Sequence, residues 1–129
     1  MIDLAGRAAL VSGGSRGVGA ATALLLARAG ADVAITFRTR KAEAEAVAGR
    51  IRELGRRALV SPGEASDPAA ARETIAAVRD AFGKLDILVA NAGTWPAAET
   101  RLRDMTPARW RDTLATNLDG VFVLLRASL

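Results

Sequence analysis

The sequence has no cysteine, no histidine and no tyrosine, only 4% of it is aromatic, and it holds no long uninterrupted apolar run. Without Cys or His there is no disulfide framework, zinc finger, Cys nucleophile or His general base, and no metal site is expected. So few aromatic rings leave little on which nucleic-acid bases could stack. The short apolar runs exclude a membrane-spanning helix.

What remains is 129 residues, half of them apolar, enough for one domain over 1–129 with a real core. A chain of this length buries roughly two-thirds of the surface it would expose unfolded, and its apolar content is too high for disorder. The formal charge of +4 comes mostly from arginine, with Lys41 and Lys84 the two lysines. Arg50, Arg52, Arg56 and Arg57 are interleaved with Ile51, Glu53 and Leu54, which reads as a solvated helix face and not as a nucleic-acid surface. The run Ala8 to Val11 is too short for a signal peptide and ends in Ser12-Gly13-Gly14, so a cytoplasmic protein is expected.

Apolar stretches and turn residues alternate along the chain. Ala8 to Val11 reads as a strand, and the Ala- and Leu-rich stretch Val18 to Ala29 as a helix stopped by Gly30. Asp32 to Phe37 is β-branched and aromatic, and Thr39 is the expected N-cap of a helix reaching about Leu54, where Gly55 stops it. Ala44, Val47, Ile51 and Leu54 share one face of that helix. Ala58 to Val60 is a third strand. Asp67 and Pro68 then open a helix with Ala71, Ile75, Val78 and Phe82 inward, closed by Gly83. Asp86 to Ala90 is a fourth strand broken by Asn91-Ala92-Gly93, and Thr106-Pro107 starts a last helix carrying Trp110, Leu114, Leu118, Val121 and Leu125 at helical spacing.

Strands joined by helices of this length imply right-handed crossovers, hence an α/β fold with a doubly wound parallel sheet of Rossmann type. Ligands of such sheets bind at the C-terminal ends of the strands. The usual nucleotide-binding arrangement puts the four strands in the order 3-2-1-4 and opens a crevice between Ser12 and Asn91.

The turn after the first strand reads Ser12-Gly13-Gly14-Ser15-Arg16-Gly17-Val18-Gly19. A phosphate needs outward backbone N–H groups at a helix N-terminus with no Cβ in the way, which gives these glycines a chemical reason beyond a tight turn. The loop is not a Walker motif, because Gly19 is followed by Ala20-Ala21 where Lys and Ser or Thr would stand. Triphosphate hydrolysis loses support accordingly.

This glycine spacing, Asn91-Ala92-Gly93 after the fourth strand, and Asn117 within Ala115-Thr116-Asn117-Leu118-Asp119-Gly120 resemble the short-chain dehydrogenase/reductase family, in tone the 3-oxoacyl-carrier-protein reductases. The resemblance spans the whole chain. It implies that Gly13, Gly17 and Gly19 shape a pyrophosphate turn, that the Val18 N–H faces a phosphate, and that Asn91, Ala92 and Gly93 line the cofactor. It also implies that Asn117 belongs to the catalytic set, holding the water of a proton relay, although it could instead only kink its helix.

The choice of cofactor turns on charge. NAD sites place an acid after the second strand for the ribose hydroxyls, whereas a 2′-phosphate needs arginine. Here Arg38 stands at that point, and Ser15-Arg16 in the glycine turn resembles NADP-using relatives, so NADP is expected over NAD. Glu64 and Ala65, in Pro62-Gly63-Glu64-Ala65, occupy the stretch where relatives contact the adenine.

Relatives continue past this point into a strand bearing Ser and a helix bearing Tyr-x-x-x-Lys. A phenol beside a lysine can remove the proton of a carbinol as hydride leaves. The expectation is therefore the NADP(H)-binding part of an oxidoreductase acting on a small carbonyl or secondary alcohol. It is truncated relative to the family, and either a longer protein cut at Leu129 or one completed by a partner or by self-association, with a homo-oligomer expected. The alternative is a non-catalytic dinucleotide-binding module. The loop from Trp95-Pro96 to Thr106 falls on the substrate side but names no substrate.

Overall fold

A computed structural model describes every residue from Met1 to Leu129. Four parallel strands, β1 (Ala8–Val11), β2 (Asp32–Phe37), β3 (Ala58–Pro62) and β4 (Ile87–Val89), form one sheet in the order β3-β2-β1-β4. The crossovers are α1 (Gly17–Arg28), α2 (Lys41–Glu53) and α3 (Pro68–Phe82). After β4 the chain makes a single 3₁₀ turn (Leu102–Asp104), then α4 (Pro107–Leu114), a π turn (Ala115–Asp119) and α5 (Gly120–Ser128). This is the doubly wound, Rossmann-like sheet that the sequence predicts.

The period of two along each strand sends alternate residues to opposite layers. Ala9, Val11, Val33 and Ile35 pack under α1 and α2 with Ala23, Leu24, Ala27, Ala44, Val47 and Ile51. Ala8, Leu10 and Ala34 face the other way, against Ala71, Ile75, Val78 and Phe82 of α3 and Leu124 of α5. Every residue of β1 is buried, because β1 lies between β2 and β4 and is covered on both faces. β3 and β4 are the sheet's two edges, and most of their residues are only half-buried.

Most expected boundaries hold. Asp67 caps α3 by accepting the Ala69 N–H at 2.9 Å, and Gly83 ends it in the left-handed region at φ 79°. Two readings change. The N-cap of α2 is Arg40, not Thr39, with no side-chain cap bond, and Leu54 is partly exposed beyond the inward stripe of Ala44, Val47 and Ile51. The last helix is not one helix. Its π turn adds a residue to a single turn and shifts the phase of everything after it. Gly120 and Leu124 therefore face the core while Leu125 is exposed; Leu118, within the π turn, and Trp110, ahead of it, are exposed as well.

Candidate functional site

A cleft of about 540 Å³ opens at the C-terminal ends of the four strands. Gly13, Ser15, Arg16, Gly17, Val18 and Gly19 line it from the β1–α1 turn, and Arg38 lines it from the end of β2. Glu64 and Ala65 reach it from beyond β3, and Asn91, Ala92 and Gly93 from the end of β4. One cavity thus gathers residues that lie more than a hundred positions apart in sequence, from Ser12 to Leu124, chiefly because parallel strands deliver all their C-terminal ends to one edge. Asn117 does not line the cleft, though its neighbour Thr116 does.

The glycine turn is fixed from beneath. The Gly13 N–H donates to Thr36 Oγ1 at 3.1 Å and the Gly14 N–H to the Thr36 carbonyl at 3.0 Å. From the other side, the Asn91 side-chain amide donates to the carbonyls of Ser12 (3.1 Å) and Gly13 (3.3 Å). A Cβ on Gly19 would lie 2.2 Å from the Gly13 carbonyl oxygen, so glycine there is demanded by the packing of α1 on the turn. Gly17 differs. At φ 56° it has the left-handed conformation, and a Cβ there would meet nothing within 4 Å, because it opens on the cleft.

The start of α1 is left open to a ligand. Its N-cap, Arg16, is extended and offers no side-chain cap, and the first turn carries no acid. The N–H groups of Gly17, Val18 and Gly19 find no acceptor in the chain, the first helical bond being Ala20 N–H to the Arg16 carbonyl. A helix start with three free donors is an anion site by dipole and by hydrogen bonding alike.

Three arginines line the same cleft. Arg16 makes no ion pair, Arg38 Nη1 stands 3.9 Å from Glu64 Oε2, and Arg40 is held by Glu43 at 3.0 Å. The depressed carboxyls lie elsewhere, at the far ends of the strands. Burial works to raise Asp32, but the Arg57 backbone N–H and guanidinium and the charge of Arg56 outweigh it and hold Asp32 below its ordinary value. The Ala8 N–H chiefly, with Lys84 and Arg7, does the same for Asp86 against its partial burial.

Asn117 sits in the π turn with its amide engaged at both ends. Its Oδ1 accepts the Thr94 N–H at 2.7 Å and its Nδ2 donates to the Thr94 carbonyl at 2.8 Å. It thereby holds the segment that follows Gly93 beside the cleft.

Residues 7–129 match the family model described as short chain dehydrogenase. The chain belongs to the short-chain dehydrogenase/reductase family. It is 40% identical over 127 residues to the short-chain dehydrogenase/reductase FrzI of Cladobotryum sp, covering 98% of this chain and 48% of that protein. With the 3-oxoacyl-[acyl-carrier-protein] reductase FabG of Aggregatibacter actinomycetemcomitans it shares 40% over 116 residues, 90% of this chain and 47% of that one. Among solved structures, a short chain dehydrogenase from Burkholderia cenocepacia J2315 in complex with NADP superposes with a TM-score of 0.91 at 46% identity. That match covers 97% of this chain and 50% of the other. The chain spans about half the length of the relatives it matches.

Two residues beside the cleft escape a reading of sequence. Thr36 is a lone hydroxyl in the apolar string of β2, and that interruption is its only signal. Thr94 receives Asn117, and no pattern points to that partnership. No helix is long and apolar enough to cross a membrane.

Proposed function

We propose that residues 1–129 form a single domain, the cofactor-binding part of an NADP(H)-dependent short-chain oxidoreductase acting on a small carbonyl or secondary alcohol. One observation carries this reading: the three free N–H groups that start α1 open on the same cleft as Arg16 and Arg38. The residues fit a dinucleotide, since the only glycine of the turn whose missing Cβ leaves open space, Gly17, faces that cleft beside those donors. When bound, NADP(H) supplies or accepts the hydride.

The chain's own groups would share the work of binding. The N–H groups of Gly17, Val18 and Gly19 bind pyrophosphate, with Gly13 shaping the turn and Ser15 beside it. Arg16 and Arg38 take the 2′-phosphate from two sides, which favours NADP over NAD. Glu64 and Ala65 border the adenine. Asn91, Ala92 and Gly93 line the path between the ends of β1 and β4. Asn117 serves as a positioning residue for that path through Thr94.

Proton transfer to the substrate oxygen needs a group that these residues do not provide. The sequence has no Tyr or His, and neither Lys41 nor Lys84 lines the cleft. The exposed apolar residues Trp110, Leu118, Phe122 and Leu125 favour self-association through α4 and α5. Light scattering of the purified chain across a concentration series checks this.

Titrating the 129-residue chain with NADPH and NADH tests the cofactor reading. NADPH should bind more tightly, and Arg38→Asp should weaken it by at least about tenfold, the worth of one charge-assisted contact, while NADH changes little. Equal losses for the two nucleotides would remove the case for NADP. No binding of either would remove the dinucleotide reading.

A further inference from the structure

Glu64 is the one acid among the residues that line the cleft, and it faces Arg38. Their approach is built into the sheet. β2 and β3 are paired in parallel to their last residues, Phe37 with Pro62, and the Gly63 N–H extends the ladder to the Phe37 carbonyl at 3.0 Å. Arg38 and Glu64 are thus the next side chains to leave two neighbouring strands, on the same rim. The guanidinium and carboxylate stand 3.9 Å apart with 64% and 43% of their side chains exposed. That pair is close enough to orient and too exposed to hold tightly.

We propose that Glu64 is a specificity-determining residue, occupying Arg38 in the free protein and giving it up when a 2′-phosphate arrives. The proposal rests on the dinucleotide reading above and concerns the ribose end of that site. A phosphate dianion offers a guanidinium more charge and more acceptor oxygens than a carboxylate does, so the exchange runs toward the phosphate. Glu64 nonetheless opposes it twice, by competing for Arg38 and by placing a negative charge beside the incoming one. A ribose with free hydroxyls meets neither obstacle. Glu64 therefore narrows the preference for NADP over NAD that Arg16 and Arg38 create, and it does so without touching the nicotinamide end. Arg40 pairs instead with Glu43 in the first turn of α2, at 3.0 Å, so it is Arg38 for which Glu64 competes.

The test is equilibrium binding of NADPH and NADH to the full chain and its Glu64→Gln variant, with 2′,5′-ADP and 5′-AMP as competitors that carry only the adenosine end. Removing the charge should tighten NADPH relative to NADH, and 2′,5′-ADP relative to 5′-AMP, by about three- to tenfold, the effect of one exposed charge at this range. Raising the salt should shrink the gain, since it screens the repulsion. Glu64→Ala repeats the measurement should the amide misfold, with thermal melts confirming the fold of each. An equal change for phosphorylated and unphosphorylated ligands means that Glu64 serves the adenine and overturns the proposal. No change, or weaker NADPH binding, overturns it as well. If wild type binds neither dinucleotide, the cofactor reading fails first and takes this proposal with it. Normal wild-type binding with unaltered selectivity in the variants sinks the proposal alone.

Discussion

The Ser12 hydroxyl oxygen accepts the backbone N–H groups of both Asn91 and Ala92, each at 2.9 Å. Ser12 is buried, and these two bonds, with the Ser12 N–H to the Val89 carbonyl at 3.0 Å, lash the end of β1 to the end of β4. One side chain thus sets the spacing of the two walls between which the cleft opens. Ser12→Ala leaves two half-buried donors unpaired and should cost about 1–3 kcal/mol. Urea unfolding of the two proteins measures that loss. A variant as stable as wild type would mean that water replaces the hydroxyl without penalty.

The glycines of the turn should separate into two kinds when each is replaced by alanine. At Gly19 a methyl would sit 2.2 Å from the Gly13 carbonyl oxygen, and neither backbone can yield without moving α1 off the sheet. Gly19→Ala should therefore cost about 3 kcal/mol or more, in the range of severe overpacking. Gly17→Ala meets no atom and pays only the left-handed backbone, about 1 kcal/mol. Thermal melts should rank wild type, Gly17→Ala and Gly19→Ala in that order. Gly17→Ala should also lose dinucleotide affinity beyond its loss of stability, because its methyl projects into the cleft.

Much of this was legible in the sequence for a physical reason. A buried parallel strand and an amphipathic helix each carry their own period, and Gly30, Asp67 and Gly83 mark boundaries through local chemistry. The cleft followed, since strand order alone brings Gly13, Arg38, Glu64 and Asn91 together. Partnerships across the sheet were not legible. Nothing near Thr36 says that Gly13 will be its donor, and nothing in Glu64 shows that it faces Arg38 until β2 and β3 are set in register. The π turn was hidden for another reason: Leu114 and Leu118 are spaced as well for an unbroken helix as for this one, and the bonds that Asn117 makes from within the turn run to Thr94, twenty-three residues away in the sequence.

Asp32 predicts part of the acid limb of stability. Its carboxylate accepts the Arg57 N–H at 2.8 Å and the Arg57 guanidinium at 2.7 Å, and the folded protein holds its carboxyl below the ordinary value of 3.8 despite its burial. A carboxyl depressed on folding contributes fully above its unfolded value and loses that contribution as pH falls through the folded one. Stability should thus be level above about pH 5 and fall below about pH 4, with Asp86 acting in the same direction. Asp32→Asn should be less stable than wild type at pH 7 by about 1–2 kcal/mol, and the gap should shrink steadily as pH falls below about 4. Urea midpoints at a series of pH values check both limbs, and a constant gap would remove Asp32 as the cause.

The loop that carries Trp95 is held at two points by α4 and the π turn. Asn117 grips Thr94, while the Arg109 guanidinium donates to the Ala98 carbonyl at 2.8 Å and to the Thr100 hydroxyl. Trp95 itself is 88% exposed, so its own packing does little to fix it. Asn117→Ala and Arg109→Met should each free the loop, at a cost of about 1–2 kcal/mol in stability because the bonds lie near the surface. With Trp110→Phe as background, Trp95 is the sole tryptophan and its fluorescence anisotropy reads the loop's motion directly. Both variants should lower that anisotropy, and the double variant should lower it further, since the two anchors grip different residues. If Asn117→Ala alone leaves it unchanged, the side-chain amide shapes the helix and does not hold the loop.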